Sequence, residues 1–390
     1  VVTVRLRFSR NPVEHEVGRR HQNYTAGVSI EGILARPVRP RPNTPFPFCN
    51  PLAVAKCLTG ESRAATAVVT DDHADVPDGH NGLGNQLHGR QPAVDEIGAV
   101  GQRLILPPAA SAGETASAWS TRQLYLAHFA LTDTAGRRFH AWSRPDREAL
   151  GLAGARAVPF RLWLGDWSAE SEAAAGLPVR LRAAEGGVAI DVMLAAEKPV
   201  VLQGDRGLSR KGPEPGNASY YYSLSRMSAR GTVRVQDEPL AVTGLAWMDR
   251  EWSTSGLGPG LVGWDWLALQ LDDGRDVMIY RLRRRDGSID AHSAGALIAA
   301  DGATRPLAGG DVSLDPLDHW TSPRSRVRYP SRWRLTVPGA ALTLEIAPRL
   351  ADQELIVGTR YWEGAVRVDG IADGRPIAGR GYVELVGYGE

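Results

Sequence analysis

From Trp119 onward, apolar and polar residues alternate in short runs separated by turn residues. Residues 123–132 read as a strand, Asp133-Thr134-Ala135-Gly136 as a turn and 137–143 as the returning strand. Residues 160–167, carrying Leu162, Trp163, Leu164 and Trp167, read as another strand. Residues 178–184 and 188–194 flank Glu185-Gly186-Gly187 and predict a hairpin. Strands at 220–225 and 232–235 follow, the second ending at Gln236-Asp237-Glu238-Pro239. Beyond the Gly/Ser-rich residues 253–260, runs at 264–271, 276–282 and 292–298 make a meander. Residues 332–337 and 342–346 pair around Pro338-Gly339, and 361–368 with 379–388 closes the chain. Helical period is weak throughout; residues 146–155 are the best place for one short helix. The pattern predicts an all-β fold of two tandem antiparallel β-barrels, residues 119–255 and 256–390, of about eight strands each. A barrel of that size holds packed side chains or one small ligand.

Residues 1–118 differ. They show no sustained period, and the Pro-rich stretch at 36–51 excludes a central strand or a helix interior. Short strand candidates at 1–8 and 65–70 have nothing to link them. All 11 Trp lie at or after Trp119, whereas Cys49, Cys57 and five of the nine His precede it. Three readings stand: a disordered Pro/Arg-rich extension, a loosely packed extra domain, or translation out of frame. On each, this segment contributes little to the core. The chain opens on Val1 with no apolar signal core in residues 1–12, which suits a fragment or a processed form.

Composition narrows the function classes. The 390 residues carry a net charge of +1, so nothing draws the chain to nucleic acid or to an anionic membrane. No apolar run approaches the roughly 20 residues of a membrane-spanning helix. Cys49 and Cys57 have no CxxC spacing, which supports neither a metal site nor a disulfide framework. Walker, GxGxxG, HExxH and nucleophile-elbow motifs are absent, so no cofactor is called for.

The candidate chemistry centres on Gly244-Leu245-Ala246-Trp247-Met248-Asp249-Arg250-Glu251-Trp252. On a strand, Trp247, Asp249 and Glu251 share one face. Set among apolar neighbours, a carboxyl there gains a raised pKa and becomes a general acid; the alternative is an ion pair with an arginine. Trp264-Asp265-Trp266 follows the linker, and Asp265 is placed to meet Asp249 where the barrels touch. Tyr361-Trp362-Glu363 again sets an acid beside aromatics. Asp265 and Glu363 read either as cavity acids or as partners of Arg281 and Arg367. His128 alternates with Leu126 and Ala130 and reads as pointing into the first barrel. Tyr221, within Tyr220-Tyr221-Tyr222, reads as a hydroxyl donor to a ligand or as packing at a barrel mouth.

Trp247-Met248-Asp249-Arg250-Glu251-Trp252, then residues 264–271, then Tyr361-Trp362-Glu363-Gly364-Ala365-Val366 and residues 381–388, together resemble the AttH-like family. Residues 122–128 and 221–223 resemble it too, so the likeness runs from about Trp119 to Tyr388. That family is related to carotenoid 1,2-hydratase and also carries the label "predicted secreted hydrolase". The resemblance implies two lipocalin-like barrels, the first closing near Trp252, and a periplasmic or secreted location. It also implies cofactor-free acid catalysis on a hydrophobic polyene or isoprenoid, by hydration or cyclisation. The family's opening Glu-Trp-Trp-Tyr strand is missing from residues 1–118, although codons for residues 83–88 are compatible with a similar strand one nucleotide out of register. On the enzyme reading Asp249 or Glu251 protonates a double bond while Trp247, Trp264 and Trp266 shield the cation. A lipocalin-like carrier without turnover and a structural envelope protein are the rival readings.

Overall fold

The computed structural model describes residues 2–10, 23–27, 65–67, 96–105, 119, 123–236, 238–253 and 257–389. Cys49, Cys57, residues 83–88 and the Pro-rich stretch lie outside these. The described chain is nearly all β, in two large sheets. The first holds the strands up to Glu238–Ser253 and the second those from Leu261–Leu271 onward. Pairing is antiparallel except for a two-residue parallel contact between Asn23–Gly27 and Glu96–Ile105. Both sheets hold more strands than the eight expected of each barrel.

The hairpins form where turn chemistry placed them. Val179–Glu185 and Val188–Ala196 pair across Gly186 and Gly187, which both take the positive φ that a two-residue turn requires. Gln123–Asp133 pairs with Arg138–Arg147, and Leu261–Leu271 with Asp276–Arg284. Three expectations change. Residues 160–167 divide into Arg161–Leu164 and Trp167–Glu170, which pair with each other around Gly165, another positive-φ residue. Residues 220–225 and 232–235 belong to one long strand, Ala218–Val235, bulged between Leu224 and Met227. The helix expected at 146–155 shrinks to the single turn Ala149–Gly151, because the ladder of Arg138–Arg147 claims its first residues and Ala153–Arg156 its last.

The expectation that the opening segment contributes little to the core is overturned at Val2–Arg10. That strand pairs with Glu238–Ser253 in the register Arg5↔Trp247 and Thr3↔Asp249. On its other side it pairs with Glu96–Ile105, which in turn pairs with Gln123–Asp133. Val4 and Leu6 are buried in the first core, and Arg5 is buried on the opposite face. Alternation of apolar residues about an arginine was present in the sequence, and Asn23–Gly27 pairs with the strand nearby, but its other two partners, Glu96–Ile105 and Glu238–Ser253, lie more than 90 residues away. No local pattern could show that pairing.

Strand alternation then sorts every residue of the central strands. Val242, Ala246 and Met248 fill the inner face of the first sheet with Tyr125, Phe129, Leu131, Val192 and Leu224. Leu267, Leu269, Leu271, Trp333, Trp362 and Leu385 fill the inner face of the second. The complementary positions, Trp247, Tyr221, Trp266, Met278, Tyr280, Ala365 and Tyr382, form a third cluster that joins the two sheets back to back. The barrel interiors are therefore packed with side chains among the described residues. The acids and aromatics singled out in the sequence lie mainly between the sheets, not in a barrel cavity.

If Val2–Arg10 is part of the core, Leu6→Ala should cost about 2–5 kcal/mol, the usual range for truncating a buried leucine. Chemical denaturation checks this, and an unchanged midpoint would place the strand outside the cooperative fold.

Candidate functional site

The site grows from three strands of the first sheet and three of the second. Glu238–Ser253 presents Trp247, Asp249 and Glu251; Ala218–Val235 presents Tyr221 and Ser223 beside them; Val2–Arg10 adds Arg5. From the second sheet, Leu261–Leu271 presents Trp264 and Trp266, Arg360–Ala372 presents Glu363, and Arg375–Val386 presents Tyr382 and Glu384. Gly263 sets the phase of the Trp264-Asp265-Trp266 run. It lies at a register shift, and a Cβ there would collide with the Val386 carbonyl.

Asp249 Oδ1 accepts hydrogen bonds from the Ser223 hydroxyl at 2.5 Å and from Trp247 Nε1 at 3.0 Å. The Ser223 oxygen in turn accepts from Gln203 Nε2 at 2.9 Å. Tyr221 also bonds to Asp249, and its oxygen accepts from Trp266 Nε1 at 3.1 Å. Among the described residues, the donors that reach Asp249 are neutral. Burial pushes its pKa up to about 6, against the opposing charge of Arg5 and these hydrogen bonds. Burial, with Asp249 and Glu251 nearby, also raises the Tyr221 hydroxyl well above its ordinary value, so it stays a donor.

Glu251 follows a different course. It accepts from Ser219 at 2.5 Å and lies 3.2 Å from Lys211 Nζ, which sits over the Tyr280 ring. Burial acts to raise its pKa, but Lys211 and the Ser219 hydroxyl outweigh it and the value falls. Its side chain is a third exposed, so it marks the wet end of the site. Glu251 is thus an ion-paired carboxylate beside an acid, and the two expected acids divide into different roles.

A second cluster adjoins the first. Arg5 Nε donates to Glu363 Oε1 at 2.7 Å and one terminal nitrogen donates to Glu384 Oε2 at 2.8 Å. Its guanidinium lies 3.6 Å from the Trp266 ring centroid and 4.9 Å from that of Tyr382. The other Glu384 oxygen accepts from the half-buried Trp264 Nε1 at 2.7 Å. Glu363 and Glu384 face each other in register across adjacent strands. Burial pushes the Glu363 pKa well up; Arg5 opposes this and the charge of Glu384 adds to it.

The remaining expectations separate from this constellation. His128 points away from the first barrel interior, because Tyr125, Ala127, Phe129 and Leu131 occupy that face. Its Nδ1 instead meets the Tyr361 hydroxyl at 2.8 Å across the sheet interface. Asp265 does not join Asp249. It turns to the inner face of the second sheet, bound by Arg281 at 2.7 Å, Arg283 at 2.9 Å and the Tyr388 hydroxyl at 2.8 Å. Parity decides this: Trp264 and Trp266 take the interface face, so the residue between them cannot. Glu363 pairs with Arg5 rather than Arg367, which pairs with Asp369. Arg5, Ser223, Lys211, Tyr382 and Glu384 were not foreseen. Glu384 stands in the closing motif, and the hairpin that folds at Asp373-Gly374 sets it opposite Glu363, a register the sequence reading did not draw out. Among the described residues, no group of three or more His, Cys, Asp or Glu is placed to hold a metal ion. No helix there is long and apolar enough to cross a membrane.

The model of the AttH-like family matches residues 103–388, more than half of the chain. The chain belongs to the AttH-like family. A crystal structure of a protein assigned as an AttH from Nitrosomonas europaea is 36% identical, covering 75% of this chain and 88% of that one, with a TM-score of 0.64. Kievitone hydratase from Nectria haematococca is 18% identical over 75% of this chain and 84% of its own, with a TM-score of 0.58, and shares the fold. No curated protein matches the sequence. In this AttH-like chain Arg5 lies outside the residues that the family model matches, while Asp249, Glu363 and Glu384 lie within them.

Asp249 also makes a prediction about pH. Its folded pKa is about 6, above the ordinary aspartate value, so the folded state holds its proton more tightly than the unfolded chain. The resulting stability is present below pH 4 and is lost as pH rises through 6. In Asp249→Asn the group cannot ionise. The stability of wild type relative to this variant should therefore fall by about 3 kcal/mol from pH 4 to pH 8. Urea titrations at the two pH values measure the difference, and a constant difference would remove the claim that this carboxyl is held protonated.

Proposed function

We propose that this AttH-like protein is a hydratase-type enzyme that adds water to an alkene of a hydrophobic, isoprenoid or polyene molecule. The observation that carries this reading is Asp249: a buried carboxyl raised to about pKa 6, bonded by neutral donors, among the indoles of Trp247 and Trp266. A pKa near the working pH is what a general acid needs, since a useful fraction is protonated and the proton is readily given up. The hydratase fold of the kievitone enzyme makes water addition the reaction class to test first.

Ser223 and Trp247 both donate to Oδ1, and in this scheme the acidic proton sits on Oδ2. Protonation of one alkene carbon by Oδ2–H forms a C–H bond from the π electrons and leaves a cation on the neighbouring carbon. The faces of Trp247 and Trp266 stabilise that cation. Water adds to it, and the proton lost by the bound water returns to the Asp249 carboxylate. Capture by an internal alkene in place of water would give cyclisation from the same acid. Glu251 and Lys211 remain a charged pair at the open end and take no proton in this scheme.

The test is turnover of a panel of isoprenoid alkenes in deuterium oxide, read by mass spectrometry. The wild type should place one solvent deuterium on carbon in the hydrated product. Asp249→Asn should lose at least about a hundredfold in rate, the scale of general acid catalysis, with its melting temperature retained. Unchanged turnover in the variant removes Asp249 from the chemistry, and binding without turnover in the wild type supports the carrier instead.

A further inference from the structure

The Asp249 carboxyl is bonded by two hydroxyls, and each hydroxyl is itself held from behind by an N–H. Ser223 donates to Asp249 Oδ1 at 2.5 Å, and Gln203 Nε2 donates to the Ser223 oxygen at 2.9 Å. Tyr221 bonds to Asp249, and Trp266 Nε1 donates to the Tyr221 oxygen at 3.1 Å. A hydroxyl has one hydrogen. Where its oxygen already accepts an N–H, that hydrogen turns to the other neighbour, here Asp249. Gln203 takes no part in the chemistry proposed above, yet its place is fixed by backbone. Val201–Leu202 pairs with Ser223 and Tyr222, and the Gln203 N–H donates to the Tyr221 carbonyl at 3.0 Å. The chain reverses at once at Gly204, which takes a φ of +68° and runs so close to the Leu208 carbonyl that a Cβ would collide with it. Gln203, Ser223 and Asp249 are all buried, so this line of bonds runs through dry protein, where neighbouring hydrogen bonds strengthen one another.

We propose that Gln203 is a positioning residue for the Asp249 carboxyl, acting through the Ser223 hydroxyl. By donating to the Ser223 oxygen, Gln203 directs and strengthens the bond from Ser223 to Oδ1, which keeps that oxygen an acceptor and holds the carboxyl in one orientation. A hydrogen bond to the charged form favours that form. Burial drives Asp249 toward its protonated state, and the Gln203–Ser223 relay moderates that drive, so it helps set the pH at which the acid gives up its proton. The charged and titratable groups that face Asp249 are Arg5 from Val2–Arg10, Tyr221 from Ala218–Val235, Lys211 from the loop before that strand, and Glu251 on its own strand. Glu363 and Glu384 of the second sheet act on it through Arg5. Gln203 is uncharged, so replacing it leaves all of these charges in place. The bearing on catalysis rests on the hydratase reading, whereas the relay itself is measured without substrate.

Carbon-13 NMR of the full chain, labelled at its aspartate carboxyls, reads the titration of Asp249; the signal is assigned by its loss in Asp249→Asn. Ser223→Ala should raise the midpoint by about one pH unit, the effect of one hydrogen bond to a charged group. Gln203→Met keeps the length of the side chain without its donor and should raise the midpoint by about 0.3–0.5 unit, as when one bond of a chain loses its reinforcement. Gln203→Leu repeats the test with a shorter side chain. Once Ser223→Ala is in place, adding Gln203→Met should move the midpoint no further. In turnover of isoprenoid alkenes the fall in rate with rising pH should shift upward by the same increments, because the protonated acid is the active form. An unmoved midpoint in the Gln203 variants, or a shift of the same size with the Ser223 hydroxyl already removed, overturns the proposal. The expected NMR shifts in a protein that turns over no alkene would uphold the positioning role and remove the hydratase reading, so the two failures are read apart.

Discussion

The structure depends on burying the outer faces of two sheets against each other. Each sheet already spends one face on its own core, so the second face must be covered by the other sheet. Strand alternation makes this unavoidable: wherever Met248 or Leu267 faces inward, Trp247 or Trp266 faces the partner sheet. The join is part apolar, through Trp247, Trp266, Met278, Tyr280 and Tyr382. It is also strongly polar, and polar groups in a dry interface must find partners. Lys198 and Arg226 bracket Asp276 at 2.7 and 2.8 Å, Thr132 bonds Gln353 at 2.8 Å, and Gln270 reaches the carbonyl of Ser225 at 2.6 Å.

The unequal quality of that pairing separates structure from chemistry. Asp276 and Asp265 are each met by two cations and a hydroxyl, which satisfies a buried carboxylate with charge close at hand. Asp249 is equally dry but is bonded by Ser223, Trp247 and Tyr221, none of them charged. Glu363 shares one arginine with Glu384, so two carboxylates divide one positive charge. Burial wins at Asp249 and Glu363, and at Asp276 too despite its two cations, and loses at Glu251, where Lys211 stands 3.2 Å away. The same chemical group two positions apart on one strand face acquires opposite character from what the partner strand supplies.

Much of the fold was legible because turn chemistry and alternation are local. Glu185-Gly186-Gly187, Asp273-Gly274 and Pro338-Gly339 each fall between strands that pair with each other. Strands without an apolar face were not legible: Ser313–Thr321 is mostly exposed and Thr304–Ala308 has a single buried residue. The aromatic and acidic runs at Trp247, Trp264 and Tyr361 drew attention to the strands that build the interface. Their inward or outward sense was not contained in those runs, which is why His128 was placed in the barrel and Asp265 beside Asp249, although the alternative partner named for Asp265, Arg281, is the one it meets.

The sequence by itself determined strand content, most turns and which residues share a strand face, because all three follow from backbone geometry within a few residues. It also carried the motifs by which the AttH-like family is known. Only the tertiary structure decided which face of each strand meets the other sheet, and so which acids are buried together. Arg5 reaches Glu363 and Glu384 across more than 350 positions, and Val2–Arg10 finds Glu238–Ser253 only through the assembled sheet. A carboxyl's character depends on dryness and on the charge of its contacts, both of which arise when distant strands are pressed together.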